Sequence, residues 1–282
     1  MNSPGEPLVW DASFPVLRLT GGGTRQFLHG QTTAAMLAAP EHTLIRSCWL
    51  TATGRLLALL EIQLDAEGAD VLVLCGDADT VMNGFERVIF PADHVRLQGP
   101  SARRRLQRLD SSAASPSWNE DVIWPETSSP TPSWTAARQA TSEELAHWRI
   151  AQGLPCSPHE LNGDTNPLEL GLSRWINLDK GCYLGQETLA KLVSRDGVKQ
   201  KLRYWTCRDG NANAAPVRPG MVLMAEGSRA GVITSVAQTE SGWHGLALVR
   251  RACLGRDNLD VEDLSDQLLI SSPASFEDWP DS

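Results

Sequence analysis

Long apolar runs are missing from this chain. No stretch approaches the ~20 residues a helix needs to cross a bilayer, which excludes a membrane-spanning helix. Basic residues are short, with 25 Lys and Arg against 34 Asp and Glu. The resulting net charge of −9 argues against general nucleic-acid binding, which needs a basic surface to neutralise phosphate. Paired cysteines are missing too: those at 48, 75, 156, 182, 207 and 253 stand singly, with no Cys-x-x-Cys and no Cys/His spacing of a zinc site. A reduced, cytoplasmic protein with no protein-only metal site is therefore expected. The opening Met1 to Pro7 carries neither a basic nor an apolar region, so no secretion signal is expected. There are two tyrosines against ten tryptophans, and the tryptophans are spread along the whole chain, so they mark out no stacking platform.

What is present fits a globular protein. The 282 residues, 41% hydrophobic and 21% charged, are enough for two or three domains. Residues 8–20 hold an apolar strand ended by Gly21-Gly22-Gly23. That triplet lacks the G-x-G-x-x-G pattern and a Walker lysine, so it reads as a turn. Thr24 is expected to cap a short helix that turns Phe27 and Leu28 inward. Strand-like segments at 43–50, 56–64 and 71–75, separated by turns at 53–55 and 65–68, predict an antiparallel meander. Asp77 opens a helix whose Val81, Met82, Phe85, Val88 and Ile89 recur at helical spacing before Pro91 stops it. Arg103, Arg104, Arg105 and Arg108 read as a solvated helical face. Residues 110–140 are rich in serine and proline and read as loops. Thr141 and Glu144 form a capping-box pattern ahead of a helix through Ile150. Beyond 201, short β segments punctuated by glycines predict a small barrel. The expected division is an N-terminal α+β domain at 1–97, a middle domain at 98–200, a barrel at 201–275 and a flexible acidic tail at 276–282.

The densest chemistry lies in Lys180-Gly181-Cys182-Tyr183-Leu184-Gly185-Gln186-Glu187. Gly185 opens a helix with Glu187 in its first turn and Lys191 later, which places Cys182 just before a helix start. The dipole end and nearby Lys180 both favour a thiolate, which would make Cys182 reactive. The alternative is a small buried hydrophobe, the usual fate of a free cysteine.

This run resembles the signature K-G-C-Y-x-G-Q-E of the YgfZ family of folate-binding proteins, a branch of the superfamily that includes the glycine cleavage T-protein. Asn166 to Leu172 and Gly197 to Leu202 resemble flanking segments of that superfamily, and Phe27-Leu28-His29-Gly30-Gln31-Thr32-Thr33 resembles its F-L-x-G-Q-x-T segment. The resemblance implies an α+β fold: ferredoxin-like cloverleaf domains around a central hole that accepts tetrahydrofolate or a derivative, with a C-terminal β-barrel beside it. It also implies work in iron-sulfur cluster assembly or repair, with iron-sulfur enzymes or cluster-assembly proteins as partners. In that reading Cys182 is the essential thiol and Lys180 tunes it. Gly181 and Gly185 permit close backbone approach, Gln186 and Glu187 supply hydrogen bonds, and Tyr183 completes the motif.

Two departures from the superfamily stand out. Aligning Thr51 to Arg55 on the T-protein's glycine-containing turn puts Ala58 and Leu59 where its acidic pair would fall, and neither can move a proton. Glu61 stands two residues further, on the strand face of Leu59. Relatives often read R-I-E-A-G where this chain has Arg149-Ile150-Ala151-Gln152-Gly153, so a carboxylate that would grip the pteridine is absent. That bond is worth about 1.5–3 kcal/mol, and Gln152 is the obvious substitute. The competing functions are a tetrahydrofolate-dependent aminomethyltransferase or demethylase, disfavoured by Ala58, and a non-catalytic adaptor, disfavoured by the intact 180–187 run. Whether any reaction is catalysed stays open at this point.

Overall fold

A long strand, β1 (Leu8–Thr20), runs through the middle of the first sheet in the computed structural model of the chain. The structure describes residues 8–109, 122–125, 134, 137–207, 217–239, 242–262, 264 and 267–280. Helix α1 (Thr24–Gln31) follows β1. The meander β2 (Ile45–Leu50), β3 (Leu56–Leu64) and β4 (Gly68–Cys75) then pairs antiparallel as the turn residues predict. Helix α2 (Ala78–Glu86) starts where Asp77 accepts the Thr80 amide at 2.7 Å. Next come β5 (Arg96–Leu109), β6 (Val122–Ile123) and β7 (Arg138–Gln139), which complete a sheet of order β2-β3-β4-β1-β5-β6 with β7 beside β1.

Near-continuous apolar runs in β3 and β4 mean that both faces of the sheet are covered. One face packs Ala58, Leu60 and Ile62 under Phe27 and Leu28 of α1 and Val81 and Phe85 of α2. The other carries Cys48, Leu50, Leu59 and Leu72 against Trp124, Trp175 and Tyr183 and against the outside of the barrel at Leu202, Leu246 and Leu248. Helix α3 (Ser142–Gln152) begins with the capping box of Thr141 and Glu144. Helix α4 (Gln186–Ser194) carries the second half of the central motif.

The barrel is closed, in the order β10-β11-β8-β13-β12-β9. Its strands are β8 (Gln200–Cys207), β9 (Val222–Ala225), β10 (Ser228–Thr239), β11 (Gly242–Arg250), β12 (Asn258–Val261) and β13 (Gln267–Ser271). Alternation sends Trp205, Ala247 and Val249 inward and leaves Leu202, Leu246 and Leu248 outside. The fold class is thus α+β with a C-terminal barrel.

Several local expectations are corrected. Thr24 does not cap α1; Gly23 holds that position because a side chain there would collide with the Asp93 carbonyl, and Thr24 is the first helical residue. The arginine cluster lies on β5 rather than on a helix, and Arg105 is fully buried. A boundary after residue 97 would cut β5, whose pairing with β1 runs from Arg96 to Leu109. Residues 276–280 are docked, not frayed: the Glu277 amide donates to the Gly171 carbonyl at 3.0 Å, Arg174 and Lys201 pair with Glu277 and Asp278 at 2.7 and 2.6 Å, and Phe276 and Trp279 pack on the core. Acidity did not free this segment because basic partners and an apolar seat await it; 281–282 lie outside the described residues. The loop-rich reading of 110–140 falls largely outside them as well. Cys253 sits in a 3-10 turn, Arg251–Cys253.

Candidate functional site

The central motif forms a loop between the 3-10 turn Ser173–Trp175 and α4, laid across the C-terminal end of α1. Both ends are pinned by main-chain bonds of 3.0 Å, Asn177 N–H to the Thr33 carbonyl and Leu184 N–H to the Gly30 carbonyl. Between them, the Lys180 carbonyl lies 2.6 Å from His29 Nε2. The Lys180 ammonium donates to the Thr32 carbonyl at 2.7 Å and to the His29 carbonyl, and stands 4.7 Å from the centre of the Tyr183 ring. The two sequence motifs, 151 residues apart at His29 and Lys180, are therefore one structure.

Gln186 closes the loop from inside. Its side-chain oxygen accepts the Tyr183 amide at 3.3 Å, and its nitrogen donates to the Leu178 carbonyl at 2.7 Å. Gly185, at φ 83°, caps α4; a Cβ there would stand 2.7 Å from the Thr51 carbonyl, so glycine meets both a conformational and a packing demand. This contact sets the central motif on the Thr51–Arg55 turn. Gly181 is also in the left-handed region, at φ 99°, and is exposed. Glu187 and Lys191 pair on the exposed surface of α4 at 2.5 Å, where such pairs contribute little.

Cys182 is exposed at the head of this loop, three residues before the cap of α4. The other cysteines are buried or half-buried. Burial pushes the Cys156 thiol up to about 12 and the Cys48 thiol higher still. Lys180 is lowered to about 8 by burial among carbonyls, and its ammonium is directed at α1 rather than at a carboxylate. Tyr183 is buried, its hydroxyl is raised by burial and by nearby Cys48, and that hydroxyl has no hydrogen-bond partner among the described residues.

Ala58 and Leu59 are fully buried on β3, and Glu61 beyond them is fully buried as well. Glu61 accepts two bonds from Arg105, at 2.7 and 2.8 Å, and one from Trp124 at 3.2 Å; Arg46 approaches to 3.4 Å. Burial alone would push this carboxyl up, but the Arg105 bonds and the two guanidinium charges outweigh it and hold it below the usual range. Trp10 and Phe14 stack on Arg105, at 5.2 and 5.7 Å.

Arg149 and Gln152 make no hydrogen bond to the Cys182 loop among the described residues. Arg149 donates to the Leu154 carbonyl at 3.0 Å and to Ser235 of β10 at 2.9 Å, and lies 3.4 Å from buried Glu160. Gln152 accepts the Ser275 hydroxyl at 2.5 Å. They tie α3 to the barrel and to the C-terminal segment. Two features were not foreseen from the sequence: His29 under the loop, and the Glu61–Arg105 pair. Nothing local marks the first, and the three consecutive arginines at 103–105 show no alternation that would mark the second. No cluster of three or more His, Cys, Asp or Glu side chains suited to a metal ion occurs among the described residues. No helix among them is long and apolar enough to cross a membrane.

No protein-family model matches the chain. It is 40% identical over 121 residues to a chloroplastic protein of Arabidopsis thaliana described as a transferase, a match covering 42% of this chain and 27% of that protein. It is 39% identical over 88 residues to an aminomethyltransferase of Moorella thermoacetica, covering 31% and 22%. The matched segments thus span about a quarter of those relatives' lengths. The crystal structure of glycine cleavage system aminomethyltransferase T from Bartonella henselae superposes with a TM-score of 0.73 at 14% identity, covering 96% of this chain and 88% of that one. The fold is that of aminomethyltransferase T.

Proposed function

We propose that this protein binds a reduced folate and acts in iron-sulfur cluster assembly or repair, with Cys182 as the essential thiol. The observation that carries the reading is the loop itself. Two distant motifs interlock to hold a single exposed thiol, with the backbone around it held by main-chain bonds to α1 and the residues just after it, and by Gln186. An exposed thiol on a rigid loop suits sulfur exchange or contact with a cluster, in which the iron-sulfur enzyme or assembly protein is the partner and the cluster is cargo. Lys180, Gly181, Tyr183, Gly185, Gln186 and Glu187 serve that loop. A compartment that keeps thiols reduced, such as the cytoplasm, suits it.

Tetrahydrofolate or a derivative fits the residues present. Tyr183 and Arg105 each keep a buried donor atom without a partner among the described residues, and both lie against the sheet face that packs on Trp124 and Trp175. Such donors match the acceptor atoms of a pteridine or a carboxylate. With Arg149 and Gln152 on α3 they are the residues that would hold it. A bound reduced folate supplies a one-carbon carrier.

The second reading, an aminomethyltransferase-like enzyme, draws on the similarity to the Moorella protein. Against it stand Ala58 and Leu59, which cannot transfer a proton, and Glu61, whose oxygens are engaged by Arg105. Calorimetry with a reduced folate, paired with an aminomethyl-transfer assay, separates the readings. Binding without transfer is expected; robust transfer would favour the enzyme.

A further inference from the structure

We infer that His29 is a positioning residue for the Cys182 loop: it donates Nε2–H to the Lys180 carbonyl and so sets where Gly181 and Cys182 project. This rests on the reading of Cys182 as the reacting group. The ring is buried at the end of α1. Its Nδ1 lies 3.2 Å from the Met36 main-chain nitrogen, which can only donate, so Nδ1 is the acceptor. In the neutral ring the hydrogen is then on Nε2, which faces the Lys180 carbonyl at 2.6 Å, a group that can only accept. Both ring nitrogens are assigned by their neighbours: a flipped ring would turn carbon atoms to both partners, and the other tautomer would set donor against donor at Met36.

The anchor sits where the loop most needs one. Lys180 is followed by Gly181 at φ 99°, and Gly181 is followed by exposed Cys182. Neither glycine stiffness nor burial can fix the thiol there. The nearest heavy atom to a Cβ built on Gly181 is His29 Nε2, at 3.9 Å, so the imidazole lies directly beneath this hinge. The main-chain carbonyl of His29 also accepts the Lys180 ammonium, so one residue of α1 holds both the backbone and the side chain of Lys180.

Three substitutions in the full-length protein separate this role from a merely structural one. His29→Gln extends an amide to about the Nε2 position and retains a donor to Lys180. His29→Asn reaches only the Nδ1 position, where it can still accept the Met36 amide but cannot reach Lys180. His29→Ala does neither. The measurements are hydrogen exchange of the Tyr183 and Leu184 amides and the rate of Cys182 alkylation by iodoacetamide. With His29→Asn and His29→Ala, exchange is expected to quicken by about three- to tenfold, the factor that one lost hydrogen bond supplies, and alkylation to shift by a similar factor. His29→Gln should stay near the parent. The inference is overturned if Asn behaves as the parent while Gln behaves as Ala, which would assign the ring to the Met36 turn, or if all variants match the parent. Should His29→Ala fail to fold, the Gln and Asn pair still decides. These readouts concern the loop alone, so they can fail while Cys182 proves essential in cells, and the reverse.

Discussion

Replacing Glu61 by glutamine tests the charge arrangement beside the site. The side chain keeps its shape but loses its charge, and one oxygen becomes an amide that faces guanidinium donors. Glu61 and Arg105 are each fully buried, and Glu61 receives two bonds from Arg105, one from Trp124 and the approach of Arg46. Breaking a buried pair by removing one partner costs about 3–5 kcal/mol, because the remaining charge stays desolvated. Here two guanidiniums lose the carboxylate, so the upper part of that range is expected, with a Tm lowered by on the order of 10 °C. Arg105→Met should cost less, because Glu61 then keeps Arg46 and Trp124. The urea midpoints of parent, Glu61→Gln and Arg105→Met give the comparison directly. The sign with pH follows: the Glu61 carboxyl is held below its ordinary value, so its stabilisation is full above that value and fades as pH falls through the lower, folded one. The gap between parent and Glu61→Gln should therefore narrow in acid. A Glu61→Gln protein within about 1 kcal/mol of the parent, or less damaged than Arg105→Met, would refute the reasoning. It would also reopen Glu61 as a proton-transfer group.

Other outcomes follow from the same geometry. His244 of β11 lies 2.6 Å from His147 of α3 and 2.9 Å from the Tyr204 hydroxyl; burial, then the His147 charge, lowers it from 6.5 to about 4. The unfolded chain then binds the extra proton first, so up to about 3 kcal/mol of stability is lost as pH falls from about 6.5 to 4. The difference between parent and His244→Gln urea midpoints across that window measures it, and parallel curves would refute it. Cys182→Ser should cost less than ~1.5 kcal/mol at an exposed position while cluster-dependent enzyme activity in cells drops sharply; a stable, fully active variant removes the thiol from the mechanism. Phe276→Ala should cost about 2 kcal/mol in thermal melts if the C-terminal segment is docked, and nothing if it frays.

Most of the framework was legible because it rests on local signals. The meander turns, the Asp77 and Thr141 caps and the glycine-spaced barrel strands are each specified within a few residues, and each element formed as expected. The 180–187 run likewise declared a loop and a helix start. What sequence could not show was partnership across the chain. Arg105 looks like a surface charge until β5 is seen beside β1 with Glu61 on the same face. Arg149 and Gln152 have partners, Ser235 and Ser275, that belong to strands and segments far along the chain. The Lys180 ammonium bonds to carbonyls of α1 and its C-terminal turn, partners that lie far back along the chain. His29 has one partner at Met36 and another 151 residues away, a pairing no local pattern encodes.

That separation gives the loop a place in time. At ribosomal speeds of about 5–20 residues per second, α1 is synthesised roughly eight to thirty seconds before Lys180 exists. Through that interval the His29 and Thr32 carbonyls and the His29 ring stand at the end of α1 without the cation and carbonyl they later hold. The thiol two residues after Lys180 cannot be presented on its finished loop until that meeting occurs. A nascent chain thus has all the strands of its sheet synthesised first and arms its cysteine late.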